Sequence, residues 1–382
     1  MHPLRYRPSH DVVLFITNRT VEGLPIGVQP IMKETVLGCL GRAQQLHPVD
    51  ISHFLFMPNH FHFILAGSCK NTSKFMRYFQ TELARAIKKL TKIFKYIVWK
   101  SRYSEQQILT AEMLIDKIVY IYENPVKAGL VDEAIKWEGA SSLRMYKSGT
   151  TEIDTTWIPS RYYKALPECL TAREGLDYLK ELRKKKGCEK SRLRMNFNLC
   201  FKCLEESRTW TDEEIYSRIF KRIAFEDKKY QELHKNSFLG VEKLRKRSIN
   251  MEYYPSKKGG RQPLFMSDDN VKRIEKINEL KELKIQKEIA YKEWRQGITT
   301  APYPKGLFRP GMPVLGVLRT SNKTLKNQRR KERKRAKVEA YSMKRQILET
   351  IRSNVVEKTE NVFSEIVSKV ASSLQVNGLK FA

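Results

Sequence analysis

The chain has 382 residues, 41% of them apolar, enough for two domains or for one domain with a large appendage, each with a genuine core. Its 72 Lys and Arg against 42 Asp and Glu give a formal charge of +30, far more than solubility needs. That points to a polyanionic partner, nucleic acid first and an acidic membrane surface second. No run of 18 apolar residues occurs, so no membrane span is expected. The six scattered Cys, with no even framework and no apolar leader before them, read as reduced thiols of a cytoplasmic protein.

In chain order, Val12 to Thr17 is β-branched and aromatic between polar residues, the pattern of a buried strand. Gly23, Pro25, Gly27 and Pro30 mark a loop. Ile31, Val36, Leu37, Leu40 and Leu46 then recur at broadly helical spacing as far as His47-Pro48. Ile51 to Met57 predicts a second strand, Pro58-Asn59 a tight turn, and His60 onward a third strand, together an antiparallel hairpin. Asn71 to Ile93 is a basic amphipathic helix with Phe75, Tyr78, Phe79, Leu83, Ile87 and Leu90 on one face. A short strand is expected around Tyr103 to Leu109, and a helix over 111–123, packed through Met113, Leu114, Ile118, Val119 and Ile121 and stopped at Asn124-Pro125. This order predicts an α+β fold: a ferredoxin-like or RRM-like antiparallel sheet with helices on one face, plus a terminal helix.

The character of the chain changes after Tyr146. Residues 1–150 are read as one domain, 151–255 as a helical extension, and 256–382 as a basic, helical and partly disordered region. Arg183-Lys184-Lys185-Lys186-Gly187 interrupts the extension, and a capping box at Thr211 and Glu214 starts a helix within it. Ser256 to Arg261 is a basic linker. Residues 268–295 form a charged helix with Ile274, Ile277, Leu280, Leu283 and Ile285 as a narrow seam. Between Lys326 and Lys337, eight of twelve residues are Lys or Arg, among them Arg329, Arg330, Lys331, Arg333, Lys334 and Arg335, which read as non-specific phosphate contacts.

Chemistry concentrates in Met57-Pro58-Asn59-His60-Phe61-His62-Phe63-Ile64-Leu65. Alternation on a strand sends His60 and His62 to one side and Phe61, Phe63 and Leu65 to the other, so the two imidazoles make half of a metal site. Tyr120 and Asn124 lie four apart and share a helix face. Two neutral imidazoles and an amide oxygen, with positions left for water and phosphate, suit Mg²⁺ or Mn²⁺. A tyrosine beside such an ion can attack phosphorus, whereas a free phenol near pKa ~10 is a weak nucleophile at neutral pH. His53 reads as a core or surface histidine. Cys200-x-x-Cys203 with Cys188 and His234 lies too far apart in sequence to predict zinc. Trp99, Arg102 and Tyr103 are candidates for stacking on unpaired bases, with core packing an equal reading for Trp99.

Three segments taken together resemble the REP-associated tyrosine transposases of the HUH endonuclease superfamily. They are Met57 to His62, Trp99-Lys100-Ser101-Arg102-Tyr103, and Tyr120-Ile121-Tyr122-Glu123-Asn124-Pro125-Val126-Lys127-Ala128-Gly129-Leu130-Val131, within roughly residues 1–146. The resemblance implies a metal-dependent single-strand DNA endonuclease and transposase acting at hairpin-forming repeats. It implies His60, His62 and Asn124 as metal ligands, Tyr120 as nucleophile, Lys127 among the DNA contacts, and a 5′-phosphotyrosine with a free 3′-OH as product. It further implies a bacterial, nucleoid-associated protein, monomeric or homodimeric. Tyr122 points to a different face of the helix and is the less favoured nucleophile. A replication or conjugation initiator of the same superfamily and a non-catalytic nucleic-acid-binding descendant are the alternatives.

Overall fold

The computed structural model describes residues 8, 10–23, 29–68, 70–91, 97–167, 171–235, 237–248, 263–298, 300–305 and 307. These fall almost entirely in one compact unit, Met1–Trp294 with Ile298–Gly311. The Ser256 to Arg261 linker and the basic run from Arg329 to Arg335 lie outside the described residues.

The strands and helices run β1 Val13–Arg19, α1 Pro30–Leu46, β2 Asp50–Phe56, β3 His60–Ala66, α2 Thr72–Leu90, β4 Ser104–Ile108 and α3 Ala111–Lys127. There follow α4 Leu143–Lys147, β5 Glu152–Trp157, α5 Ala172–Arg183, β6 Glu189–Arg194, α6 Leu199–Lys202 and α7 Asp212–Leu233. The last are α8 Val241–Arg245, β7 Phe265–Met266 and α9 Asn270–Arg295. The main sheet has the order β2-β3-β1-β4-β7, antiparallel through its first four strands and parallel only between β4 and β7. The fold is therefore α+β, and its first four strands carry the ferredoxin-like order expected from the sequence.

One face of this sheet is aromatic. Phe54, Phe56, Phe61 and Phe63 meet Phe75 and Phe79 of α2, with ring centroids 5.2 to 6.3 Å apart, and all six are fully buried. Each such side chain contributes about 1.5–3 kcal/mol of hydrophobic burial. The helix α3 covers the opposite face, where Phe15, His53 and His62 meet Tyr120 and Tyr122. The predicted stop at Asn124-Pro125 is corrected: α3 continues through Pro125 to Lys127. Proline has no N–H for the Ile121 carbonyl, and the Asn124 side-chain amide turns back toward that carbonyl, 3.5 Å away, and bonds Tyr120 O at 2.6 Å.

The boundary expected at residue 150 is not a break in the core. The hairpin of β5 and β6 packs on α1, where Gly38 and Gly41 leave room for Thr156 O and the Thr155 hydroxyl. A single hydrophobic cluster runs from Val12 to Met266. The 151–255 segment is thus not wholly helical, although α7 starts at the predicted Thr211–Glu214 capping box. Only part of the predicted α9 seam is covered. Leu280 and Leu283 pack near Phe265 and Leu307, whereas Ile274, Ile277 and Ile285 remain exposed. Among the described residues no helix is long and apolar enough to cross a membrane.

Candidate functional site

The register of β1 and β3 builds the site. Arg19 stands opposite His60, Thr17 opposite His62 and Phe15 opposite Ile64, so all six side chains share the α3 face. The rings of His60 and His62 are 5.0 Å apart, and Phe15 stacks on His62 at 5.5 Å. From α3 the Tyr120 ring meets His62 edge-on at 5.5 Å. Asn124 sits one turn further along the helix. Carbonyl oxygens accept and cannot donate, so its NH₂ faces Tyr120 O and Ile121 O and its Oδ1 is turned outward.

Both histidines are held neutral. Burial, with the nearby positive charge of Arg19, lowers His60 to about 4. Burial, then His60, Lys117 and Arg19, lowers His62 well below 6.5. Nδ1 of His60 lies 2.7 Å from Asn59 Oδ1, which places the proton on Nδ1 and leaves Nε2 with a lone pair. Neither ring nitrogen of His62 has a protein partner, although the residue is only 4% exposed. A buried polar group left unmatched costs about 1–3 kcal/mol, which a ligand on that nitrogen would relieve. Two imidazole nitrogens with free lone pairs on one face could take a divalent ion; among the described residues no group of three His, Cys, Asp or Glu could hold one.

The two tyrosines of α3 are sharply different. Tyr120 is 38% exposed. Tyr122 is fully buried, its hydroxyl between His53 Nδ1 at 2.7 Å and Ser142 Oγ at 2.9 Å. Only the first can meet a polymer. His53 is accordingly a core histidine.

Positive charge surrounds the exposed phenol. Lys117 Nζ lies 5.3 Å from the Tyr120 ring centre and 5.8 Å from that of Phe15, and Lys127 Nζ lies 6.0 Å from the Tyr120 ring. The carboxylates of Glu112 and Asp116 are engaged by Arg218 and Arg222. Glu123, 3% exposed, is pushed up to about 9 by burial and by Asp227 and Glu226, so it stays protonated at neutral pH and adds no negative charge. Arg19 and Lys117 were not singled out from the sequence. Lys117 lies three residues before Tyr120, a spacing that does place it on the same helix face. Nothing in the sequence pairs Arg19 with His60, because that depends on the β1–β3 register.

The remaining sequence candidates are placed elsewhere. Trp99 packs its ring against Phe61 at 5.5 Å and donates from Nε1 to Gln80 O at 2.8 Å, on the face away from Tyr120. Tyr103 is buried and Arg102 exposed. Arg329, Arg330, Lys331, Arg333, Lys334 and Arg335 lie outside the described residues.

No family model matches the chain, and no curated protein matches it. Among solved structures, a REP-associated tyrosine transposase bound to a REP hairpin is similar over 39% of this chain and 86% of that one, with 19% sequence identity and a TM-score of 0.34.

Proposed function

We propose that this protein is an HUH-type enzyme that cuts and rejoins single-stranded DNA, with Tyr120 as nucleophile and a hairpin-forming repeat as target. The observation that carries the reading is the meeting of an exposed phenol, with Lys117 and Lys127 beside its ring, and a buried, unpartnered imidazole. A protein that merely bound DNA would use the cations. It would gain nothing from leaving His62 unsatisfied beside Tyr120.

In this reading Arg19, Lys117 and Lys127 draw a phosphodiester to the mouth of the site and offset its charge. Mg²⁺ or Mn²⁺, held by His60, His62 and Asn124, would polarise the phosphoryl oxygen when bound. Tyr120 Oη attacks phosphorus and gives its proton to solvent. The P–O3′ bond breaks, and the departing oxygen takes up a proton as a free 3′-OH, while the 5′-phosphate stays esterified to Tyr120. Attack by a 3′-OH on that ester reverses the step, so rejoining needs no nucleotide cofactor. The burial of Tyr122 removes it as a competing nucleophile, and its bonds to His53 and Ser142 hold α3 at the rotation that presents Tyr120.

The test incubates the protein and Mn²⁺ with labelled single-stranded oligonucleotides bearing hairpins, and looks for an adduct that survives denaturation. The adduct is expected with the wild type and with Tyr122→Phe, and is lost in Tyr120→Phe. An adduct that persists in Tyr120→Phe overturns the assignment.

A further inference from the structure

The proposed reaction makes no use of the basic turn Arg183-Lys184-Lys185-Lys186-Gly187, which joins α5 to β6. This turn is built into the surface. Tyr162 Oη donates to the Lys186 carbonyl at 2.7 Å. The Tyr162 ring lies beneath the Arg161 guanidinium at 4.7 Å and the Lys185 ammonium at 5.2 Å. Gly187 has φ of +89°, and a Cβ there would stand 3.0 Å from Arg161 Nη2, so the turn and the Arg161 side chain are closely packed. Arg161 and Lys185 also both act on the Cys188 thiol, which places their charges on one patch. Lys164, Lys186 and Lys190 are exposed.

The acids nearby are already engaged: Glu181 with Lys184, Glu34 with Arg183 and Glu189 with Arg42. Among the described residues no ion pair is made by Arg161, Lys164, Lys185, Lys186 or Lys190. An ordinary solvated charge run leaves its lysines loose. Here an arginine and a lysine are held over one ring, so part of the ordering entropy of an anion site is already spent.

We propose that this surface, organised by Tyr162 and the 183–187 turn, docks the phosphate backbone of duplex DNA, the stem of a hairpin cut elsewhere on the protein. The Arg161 and Lys185 charges lie against the Tyr162 ring, so what the patch presents is positive charge, and the contact is to phosphate rather than to base. The choice of DNA among polyanions rests on the proposed function; the surface itself does not.

The experiment measures binding of a fluorescent blunt-ended hairpin to the full chain across a salt series, for the wild type and for Arg161→Gln/Lys185→Gln/Lys186→Gln with a matching thermal melt. The slope of log K against log salt is expected to become shallower by about 2.7, at ~0.9 per phosphate contact. An unstructured single strand of equal length should show no such change. An unchanged slope on the hairpin overturns the proposal, as does an equal loss on the single strand, or a loss seen only with anionic vesicles. Adduct yield at saturating DNA should be the same in the variant as in the wild type. If the wild type forms no adduct at all, the nicking function falls, while the slope change on the hairpin still supports the docking surface.

Discussion

Two histidine–tyrosine pairs lie between the main sheet and α3, two residues apart on the helix and on neighbouring strands. In one, Tyr122 is sealed in the core and its hydroxyl joins His53 Nδ1 to Ser142 Oγ, while His53 Nε2 has no hydrogen-bond partner. In the other, Tyr120 reaches solvent and His62 keeps both ring nitrogens without a protein partner. The residue types are the same and the rings meet at similar distances, 5.7 Å and 5.5 Å. What separates the two pairs is that the Tyr122 hydroxyl is buried and bonded to its histidine, whereas Tyr120 is open to solvent and its histidine has no protein partner.

The largest effect that can break this contrast is on chemistry. Tyr120→Phe should lower adduct formation at least ~10³-fold, about 4 kcal/mol in the barrier, while shifting stability by under ~0.5 kcal/mol because the hydroxyl is exposed. Single-turnover assays beside urea melts would show it, and equal losses of stability and adduct would erase the distinction. Next comes the metal. Mn²⁺ at a hundredfold above its Kd should stabilise the wild type by about 2.7 kcal/mol. His62→Ala should remove that gain in a thermal melt, and His53→Ala should retain it in proportion to whatever fold remains. A gain undiminished in His62→Ala would place the ion elsewhere.

Tyr122→Phe reads the other side of the contrast. Losing one hydroxyl strands His53 Nδ1 and a bond of Ser142 Oγ, and should cost about 1–3 kcal/mol in chemical denaturation, with adduct formation kept below the melting point. A change under about 0.5 kcal/mol, the scale of a surface substitution, would mean that Tyr122 is as idle as an exposed phenol.

Much of this was legible in the sequence because local rules carry it. The hairpin through Pro58-Asn59, the shared face of His60 and His62, and the shared helix face of Tyr120 and Asn124 follow from periods of 2 and 3.6. Three features were not legible. The pairing of Arg19 with His60 is a matter of strand register across 41 residues of chain, set by which apolar side chains reach the core. The extension of α3 past Pro125 depends on a side chain turning back on its own helix. The β5–β6 hairpin was hidden because its outward residues, Glu152, Asp154, Arg192 and Arg194, pair as ions, and its inward face mixes the polar Thr155 and Ser191 with Ile153, Trp157 and Leu193.

The smallest expected effect is in pH dependence. Burial lowers His53 from 6.5 to about 3 and His60 from 6.5 to about 4, so as pH falls below 6.5 the unfolded chain takes up protons that the folded chain refuses. The stability tied to these groups is whole above pH 6.5 and is lost as pH falls toward the folded values, at about 1.4 kcal/mol per pH unit for each group. The two sites separate on adding Mn²⁺. An ion on the His60–His62 pair competes with the proton of the folded state, so the Mn²⁺ gain is level from pH 6.5 to about 4 and falls away below that, while the contribution of His53, whose Nδ1 is already bonded to Tyr122, stays as it was. Melts from pH 3.5 to 7.5 with and without Mn²⁺, for wild type and His60→Asn, measure this directly. If the loss of the Mn²⁺ gain at the acid end survives His60→Asn, the two histidine–tyrosine pairs do not differ in the way their hydrogen bonding implies.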